Sequence, residues 1–306
     1  MKKILVIGSL NVDMVVDVDH MPAVGETILS GGLKYVPGGK GANQACAVGR
    51  LGAAVTMLGA VGNDSYAEMQ RKSLRESGVD VSKLIVREEA PTGIALIPVN
   101  TEGDNYIIVI SGANATLTPE DIDRNIALIE ESDIIMFQLE IPLDTVLHAA
   151  RLAKKLGKTV ILDPAPVPKE FPEELYQYVD IIKPNETELG MLTGITDTEA
   201  RLTEATGLLR GKGVENVLVT LGGDGVFIDS GELGQCRIPA HKVTAVDTTA
   251  AGDSFTAGLA AKLMEGKNLK EAAEFANYVS AIVVTRPGAQ SSIPTMEEVE
   301  DYIARS

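Results

Sequence analysis

The chain has 306 residues, 45% of them hydrophobic and 23% charged, enough for a sizeable core and for one large α/β domain or two smaller ones. Asp and Glu total 43 against 27 Lys and Arg, a formal net charge of −16. A surface of that sign is a poor match for nucleic acid or anionic membrane, so a phosphate site would have to be local and built largely from backbone N–H groups.

In chain order, residues 4–7 form a continuous apolar run ended by Gly8-Ser9, the pattern of a strand buried on both faces. The run meets Asn11 and Asp13 too soon to be a signal sequence or a membrane span, and a cytoplasmic protein is expected. Residues 11–19 alternate polar and apolar, like a half-exposed strand. Buried strands are predicted at 55–62, 133–140, 159–166, 180–185 and 216–225. Residues 92–112 read as two strands joined by the turn at 102–105. A helix is predicted over 118–132, with Thr118 as N-cap, Pro119 at its first position and Asp121 three residues after the cap. A second, over 142–157, places Leu143, Val146, Leu147 and Ala150 on one stripe and stops at Gly157. The last helix opens with Thr295 and Glu298 at capping-box spacing. Strands alternating with helices predict a predominantly parallel sheet covered by helices on both faces. The segments near 12–36 and 92–111 break that rhythm and are set apart as a small β layer. No repeat, low-complexity tract or long linker divides residues 1–306, so one domain is expected.

Cys46 and Cys236 belong to no CxxC or Cys/His cluster and read as free thiols of a reducing compartment. His20, His148 and His241 are scattered and suggest no triad or zinc site.

Five stretches carry candidate chemistry. In "DTTAAGDSF" (residues 247–255), Ala250, Ala251 and Gly252 leave a bare backbone just before a helix, where unsatisfied N–H groups favour an anion. Asp253 there could orient a hydroxyl and take its proton while those N–H groups face a transferring phosphoryl group. It could equally be an N-cap after a glycine turn. In "PGGKGANQACAVGRLG" (residues 37–52) neither a P-loop nor GxGxxG is present, because Gly41 follows Lys40 and Gln44 stands where the last glycine would be. The turn projects Lys40 and Asn43, which suit the hydroxyls of a small polar ligand, or it is a structural turn.

In "GSLNVD", Asn11 and Asp13 lie just beyond the first strand, where ligands of open α/β sheets bind. An amide and a carboxylate two apart on an extended segment can hold a vicinal diol. Glu140 ends another strand in the same way. In "KPNETELGMLTG" (residues 183–194), Asn185 and Glu188 either hold a hydrated Mg²⁺ near phosphates or cap a helix. In "TLGGDGVF" (residues 220–227), Thr220, Gly222, Gly223 and Gly225 offer bare backbone to a nucleotide, or form a β-turn.

The order of "GGKGANQA", "KPNETE", "TLGGDG" and "DTTAAGDSF" along the chain resembles the PfkB family of carbohydrate kinases, across essentially the whole length. The resemblance implies a Rossmann-like α/β domain with a small β-sheet lid over the sugar that often forms a homodimer interface. "GSLNVDMVV", "GGKGANQA" and "VTRPGAQSSIP" point within the family to ATP-dependent phosphorylation of ribose at its 5-hydroxyl. By the same resemblance Asp253 is the catalytic base, and the N–H groups of Ala250, Ala251, Gly252 and Asp253 form the anion hole. Asn11, Asp13, Gly39, Lys40, Asn43 and Glu140 contact the sugar. Asn185, Thr220, Gly222, Gly225 and Asn277 lie on the ATP side, and Glu188 is linked to Mg²⁺. Asp247, Thr249, Val283, Arg286, Gly288 and Ser292 surround an activating monovalent cation, usually K⁺. Gly223-Asp224 departs from the family pattern and puts an acid near the phosphates. Another sugar or a nucleoside as substrate, such as fructose or a ketodeoxy sugar acid, is the alternative, followed by a non-catalytic sugar-binding protein. A dehydrogenase would need a glycine fingerprint where "GSLNVD" stands.

Overall fold

The computed structural model describes residues 2–305. Its main sheet has eight strands. In spatial order they are β14 (Gly234–Ile238), β13 (Val226–Ser230), β12 (Asn216–Thr220), β11 (Ile181–Ile182), β10 (Thr159–Leu162), β9 (Ile134–Phe137), β1 (Ile4–Ile7) and β4 (Val55–Leu58). The six strands from β12 to β4 are parallel, and β13 and β14 close one edge antiparallel. Both faces are covered, which is why these strands read as unbroken apolar runs. Along β1, Ile4 and Val6 pack into one core and Leu5 and Ile7 into the other. The first core holds apolar residues of α1 (Lys40–Arg50), α8 (Ala251–Met264) and α9 (Leu269–Val283). The second holds residues of α5 (Leu143–Lys155), α6 (Glu186–Thr193) and α7 (Leu202–Gly211).

A separate sheet runs in the order β3 (Gly32–Gly38), β2 (Asn11–Asp17), β7 (Gly93–Val99) and β8 (Ile108–Ile110). Its strands come from the two segments that break the strand–helix rhythm of the sequence.

Several elements differ from the sequence expectation. The strand predicted over 55–62 is two strands, because the chain leaves the main sheet after β4, and β5 (Ala60–Gly62) pairs instead with β6 (Ile85–Arg87). The helix predicted over 118–132 breaks into α3 (Pro119–Arg124) and α4 (Ile126–Glu131). Asn125 causes the break, its side-chain amide donating to the Asp121 carbonyl at 2.8 Å and competing with the helical ladder. Strands β10 and β11 stop short of their predicted ends because Pro164 and Pro184 follow closely. Residues 222–224, predicted as strand, form a single 3₁₀ turn after β12. Other local readings match. Thr118 and Asp121 form a capping box, Gly157 ends the α5 region in the left-handed conformation, and Thr295 with Glu298 caps α10 (Met296–Arg305).

Candidate active site

The candidate residues gather along the carboxyl edge of the main sheet, where β1, β9, β10, β11 and β12 all end, the usual place for a ligand in an open α/β sheet. Helix α8 starts there. Ala250 precedes it in the left-handed conformation, φ 61° and ψ 8°, and turns the chain into the helix. Asp253 is the third helical residue and not its N-cap. Its side chain makes no cap bond, because it points inward, where Asn43 Nδ2 donates to one carboxylate oxygen at 3.0 Å and Gln44 Nε2 to the other at 3.1 Å. Burial pushes its pKa up; Lys40 opposes, the nearby Asp163 charge adds to the rise, and Asn43 and Lys183 oppose. A carboxylate held in the first turn by two amides and not used as a cap is free to act as a proton acceptor. The Ala251 N–H donates to the Thr248 carbonyl at 3.2 Å. The Gly252 and Asp253 N–H groups lie in the first turn, beyond the reach of a preceding helical carbonyl.

On one side of Asp253 stand Asn11, Asp13, Gly39, Lys40, Asn43 and Glu140. Asn11 is buried at the start of β2, its side-chain oxygen accepting from Asn114 Nδ2 at 2.8 Å. Asp13 lies two residues on, on the same face. Its pKa is pushed up to about 7 by burial, then by the charges of Glu140 and Asp253. Gly39 is the N-cap of α1 with φ 89°, open only to glycine at low cost. Glu140, three residues past the end of β9 and not on the strand as expected, accepts from Ser9 Oγ at 2.5 Å and from the Lys40 backbone N–H at 3.1 Å, tying the turn after β9 to the start of α1. Burial alone would lower the Lys40 pKa, but Asp253, Asp163, Glu140 and Glu188 hold it above its ordinary value. The Asn43 side-chain oxygen is buried without a protein partner, an acceptor left for a ligand hydroxyl.

On the other side lies a cavity of about 790 Å³. Asn185, Glu188, Thr220, Gly222, Gly225 and Asn277 line it, and Lys40 and residues 250–253 form its inner end. Asn185 and Glu188 also cap α6 reciprocally, each backbone N–H bonded to the other side chain at 2.8 Å. Both readings of that stretch therefore hold together. Burial, then the Asp163 charge, raises the Glu188 pKa. Gly223 lines the cavity; Asp224 is exposed and outside the lining.

Asp247 and Thr249 lie on the loop before α8; Val283 ends α9, Arg286 and Gly288 follow it, and Ser292 closes a 3₁₀ turn, the two stretches being joined by backbone bonds. The Val246 and Asp247 N–H groups both donate to the Val284 carbonyl, at 2.7 and 3.2 Å. Asp247 accepts from the Gly288 N–H at 2.8 Å and the Thr249 N–H at 2.9 Å. Burial works to raise the Asp247 pKa, but the Thr249 and Gly288 bonds hold it below the usual carboxylate range. The Arg286 guanidinium turns away to Glu298 at 2.8 Å. The Ser292 hydroxyl donates to the Ala289 carbonyl at 2.7 Å, in the stretch that follows Gly288. Among the described residues no group of three His, Cys, Asp or Glu side chains could hold a metal, and no helix is long and apolar enough to cross a membrane. The histidines stay apart: His148 pairs with Asp123, His20 with Glu26, and His241 stacks on Tyr278. Both cysteines are free.

The sequence did not reveal Asn114, Gln44, Gln138, Asp163 and Lys183. Asn114 clamps both backbone groups of Leu10 as well as Asn11. Of the other four, Gln44 bonds Asp253, Gln138 bonds Gln44, and Asp163 and Lys183 carry charges close to Asp253. "DPAP" and "KPN" each carry a charge at the end of a buried strand, the one local signal available for the last two.

A buried carboxylate at a helix N-terminus, between a cluster of polar side chains and a cavity of about 790 Å³, defines a phosphoryl-transfer enzyme of the α/β class. The chain belongs to the pfkB family of carbohydrate kinases, matched over residues 1–296. It is 40% identical to a ribokinase of Haemophilus influenzae, over 99% of this chain and 98% of that one. It is 37% identical to a deoxyribokinase of Salmonella typhi, over 98% of each. The ribokinase of Arabidopsis thaliana solved with ribose and ATP superimposes with a TM-score of 0.94 at 32% identity, covering 100% of both chains.

Proposed function

We propose that this enzyme transfers the γ-phosphoryl group of ATP to the 5-hydroxyl of D-ribose, giving ribose 5-phosphate and ADP. The observation that carries the reading is the place of Asp253: buried, not used as a helix cap, and between the polar side chains of Asn43 and Asp13 and the 790 Å³ cavity. Asn11 and Asp13 take the diol of the sugar, with Lys40, Asn43 and Glu140 around them, and Gly39 lets the backbone approach. The reacting hydroxyl then faces Asp253, which accepts its proton as the oxygen attacks in line. The first-turn N–H groups of α8, with Ala250 shaping the turn, stabilise the charge on the transferring group. Asn185, Thr220, Gly222, Gly225 and Asn277 hold the nucleotide. Mg²⁺ neutralises the phosphates of ATP, and Glu188 orients its water shell. A potassium ion fits the loops of Asp247 and Gly288, where its charge would steady the turn leading to Ala250.

The small sheet is a lid that closes over the sugar and excludes water as a competing acceptor. Its outer apolar face supports a homodimer. Two free thiols support a cytoplasmic location.

ADP release with Mg·ATP and K⁺ tests the reading. Ribose should drive release, with 2-deoxyribose and fructose as comparison sugars, and Na⁺ in place of K⁺ should slow it. Asp253→Asn should keep ribose and ATP binding and lose about 10²–10⁴-fold in kcat, the usual contribution of a general base. Release driven by another sugar, with ribose inert, would move the substrate. Near-normal turnover by Asp253→Asn would remove it as the base.

A further inference from the structure

Beside the catalytic turn, in the wall of the 790 Å³ cavity, lies a buried ion pair that none of these roles uses. Lys183 Nζ is 3.0 Å from Asp163 Oδ2, with side chains only 4% and 2% exposed. The two residues directly follow β11 and β10, adjacent parallel strands of the main sheet. Asp163 Oδ2 also accepts from Gln44 Nε2 at 3.0 Å, and the same amide nitrogen donates to Asp253 Oδ1 at 3.1 Å. The Gln44 carbonyl oxygen is taken by Gln138 Nε2 at 2.6 Å. The amide therefore cannot flip without losing three bonds, and its two N–H groups bridge the two carboxylates. Lys183 reaches further, to the Gly252 carbonyl at 3.4 Å, and lies 3.1 Å from the point where a Gly252 side chain would begin.

We propose that Asp163 and Lys183 are positioning residues for phosphoryl transfer, fixing the Asp253 carboxylate through Gln44 and the first turn of α8 through the Gly252 carbonyl. The proposal rests on Asp253 as the base. Two carboxylates sharing one amide repel each other in a dry site unless a cation neutralises one of them. Lys183 does so at the same oxygen, Asp163 Oδ2, that accepts from Gln44. Asp163 then serves as the fixed acceptor that holds the second N–H of Gln44. Without that acceptor the amide keeps only its bonds to Gln138 and Asp253 and is less firmly fixed, and the Asp253 carboxylate with it. A displacement of about 1 Å at a reacting group costs on the order of 10²-fold in rate.

The test uses two double variants, neither of which leaves a lone buried charge. D163N/K183M keeps an acceptor for Gln44 and should lose less than about tenfold in kcat. D163L/K183M removes the acceptor and should lose about 10²-fold in kcat, with the KM for ribose within about threefold. Thermal unfolding reports whether each is folded. If D163L/K183M does not fold, Gln44→Leu, which leaves the ion pair and removes the bridge, should show the same loss. Equal kcat in the two double variants would overturn the proposal. If both are fast, no chain positions Asp253; if both are equally slow, the Lys183 ammonium itself is required. A loss confined to the KM for ATP would also overturn it, making Lys183 a phosphate ligand. Wild-type release of ADP and its loss in Asp253→Asn, measured alongside, test the underlying base assignment separately.

Discussion

Asp13 sets the pH behaviour of the sugar side. Its carboxyl is raised from 3.8 to about 7 by burial and by the charges of Glu140 and Asp253. Between those two values the folded state binds more protons than the unfolded one, so this group's stability contribution is full below about pH 4 and is lost as pH rises through 7. At most about 4 kcal/mol is involved. The ligand-free protein should therefore unfold at lower temperature at pH 8 than at pH 5, and Asp13→Asn should flatten that slope. A parent slope no steeper than that of Asp13→Asn, in melts across this range, would remove Asp13 as its source. Sugar binding runs the opposite way. A ribose hydroxyl needs the ionised acceptor, so the KM for ribose should rise as pH falls from 8 to 6. A constant KM over that interval would mean that Asp13 does not hold the sugar.

At the level of elements, the site depends on how closely α8 and α9 cross. Gly258 of α8 faces α9 so tightly that a Cβ there would lie 3.2 Å from both Ala276 Cα and Val279 Cγ2. Asn277, beside that contact, lines the nucleotide cavity, and Asp253 is just over one helical turn before Gly258. Gly258→Ala asks its neighbours to move by a few tenths of an ångström. Gly258→Leu forces the helices apart and should cost about 1–3 kcal/mol, seen as a lower urea midpoint at unchanged slope, with a raised KM for ATP. A Leu variant with both properties intact would show that the crossing does not set the site. The start of α8 was legible because small residues before an apolar helix leave a local mark. The buried strands and three helix caps were legible for the same reason. The break at Asn125 was not, since an amide competing for one carbonyl leaves the apolar pattern unchanged. Nor were the partners of Asp253 beyond Asn43. Gln44 sits on α1, and Gln138, Asp163 and Lys183 directly follow β9, β10 and β11, 70 to 209 positions from it. Only the sheet's strand order brings them together.

At the level of the whole molecule, the small sheet has two unlike faces. Cross-strand partners share a face, so the register groups Met14, Tyr35, Leu96 and Ile108, flanked by Val16 and Leu33. That face carries no charge, whereas Asp13, Asp17 and Lys34 lie on the other. Leu33, Tyr35, Ile108 and Ile110 are 45–57% exposed. Soluble monomers rarely leave so continuous an apolar patch in water. A chain with a net charge of −16 resists self-association everywhere else. A two-fold pairing of this face with itself in a second copy buries the patch and keeps the charged surfaces apart. Leu96 sits at its centre, between Met14 and Ile108. Sedimentation should show a dimer for the parent chain, strengthened by salt that screens the residual repulsion, and a monomer for Leu96→Lys. That monomer should keep its fold in far-UV circular dichroism yet show a raised KM for ribose, because the small sheet, as the lid proposed above, would lose a partner that steadies it. A parent chain that sediments as a monomer at micromolar concentration would leave the face without this partner.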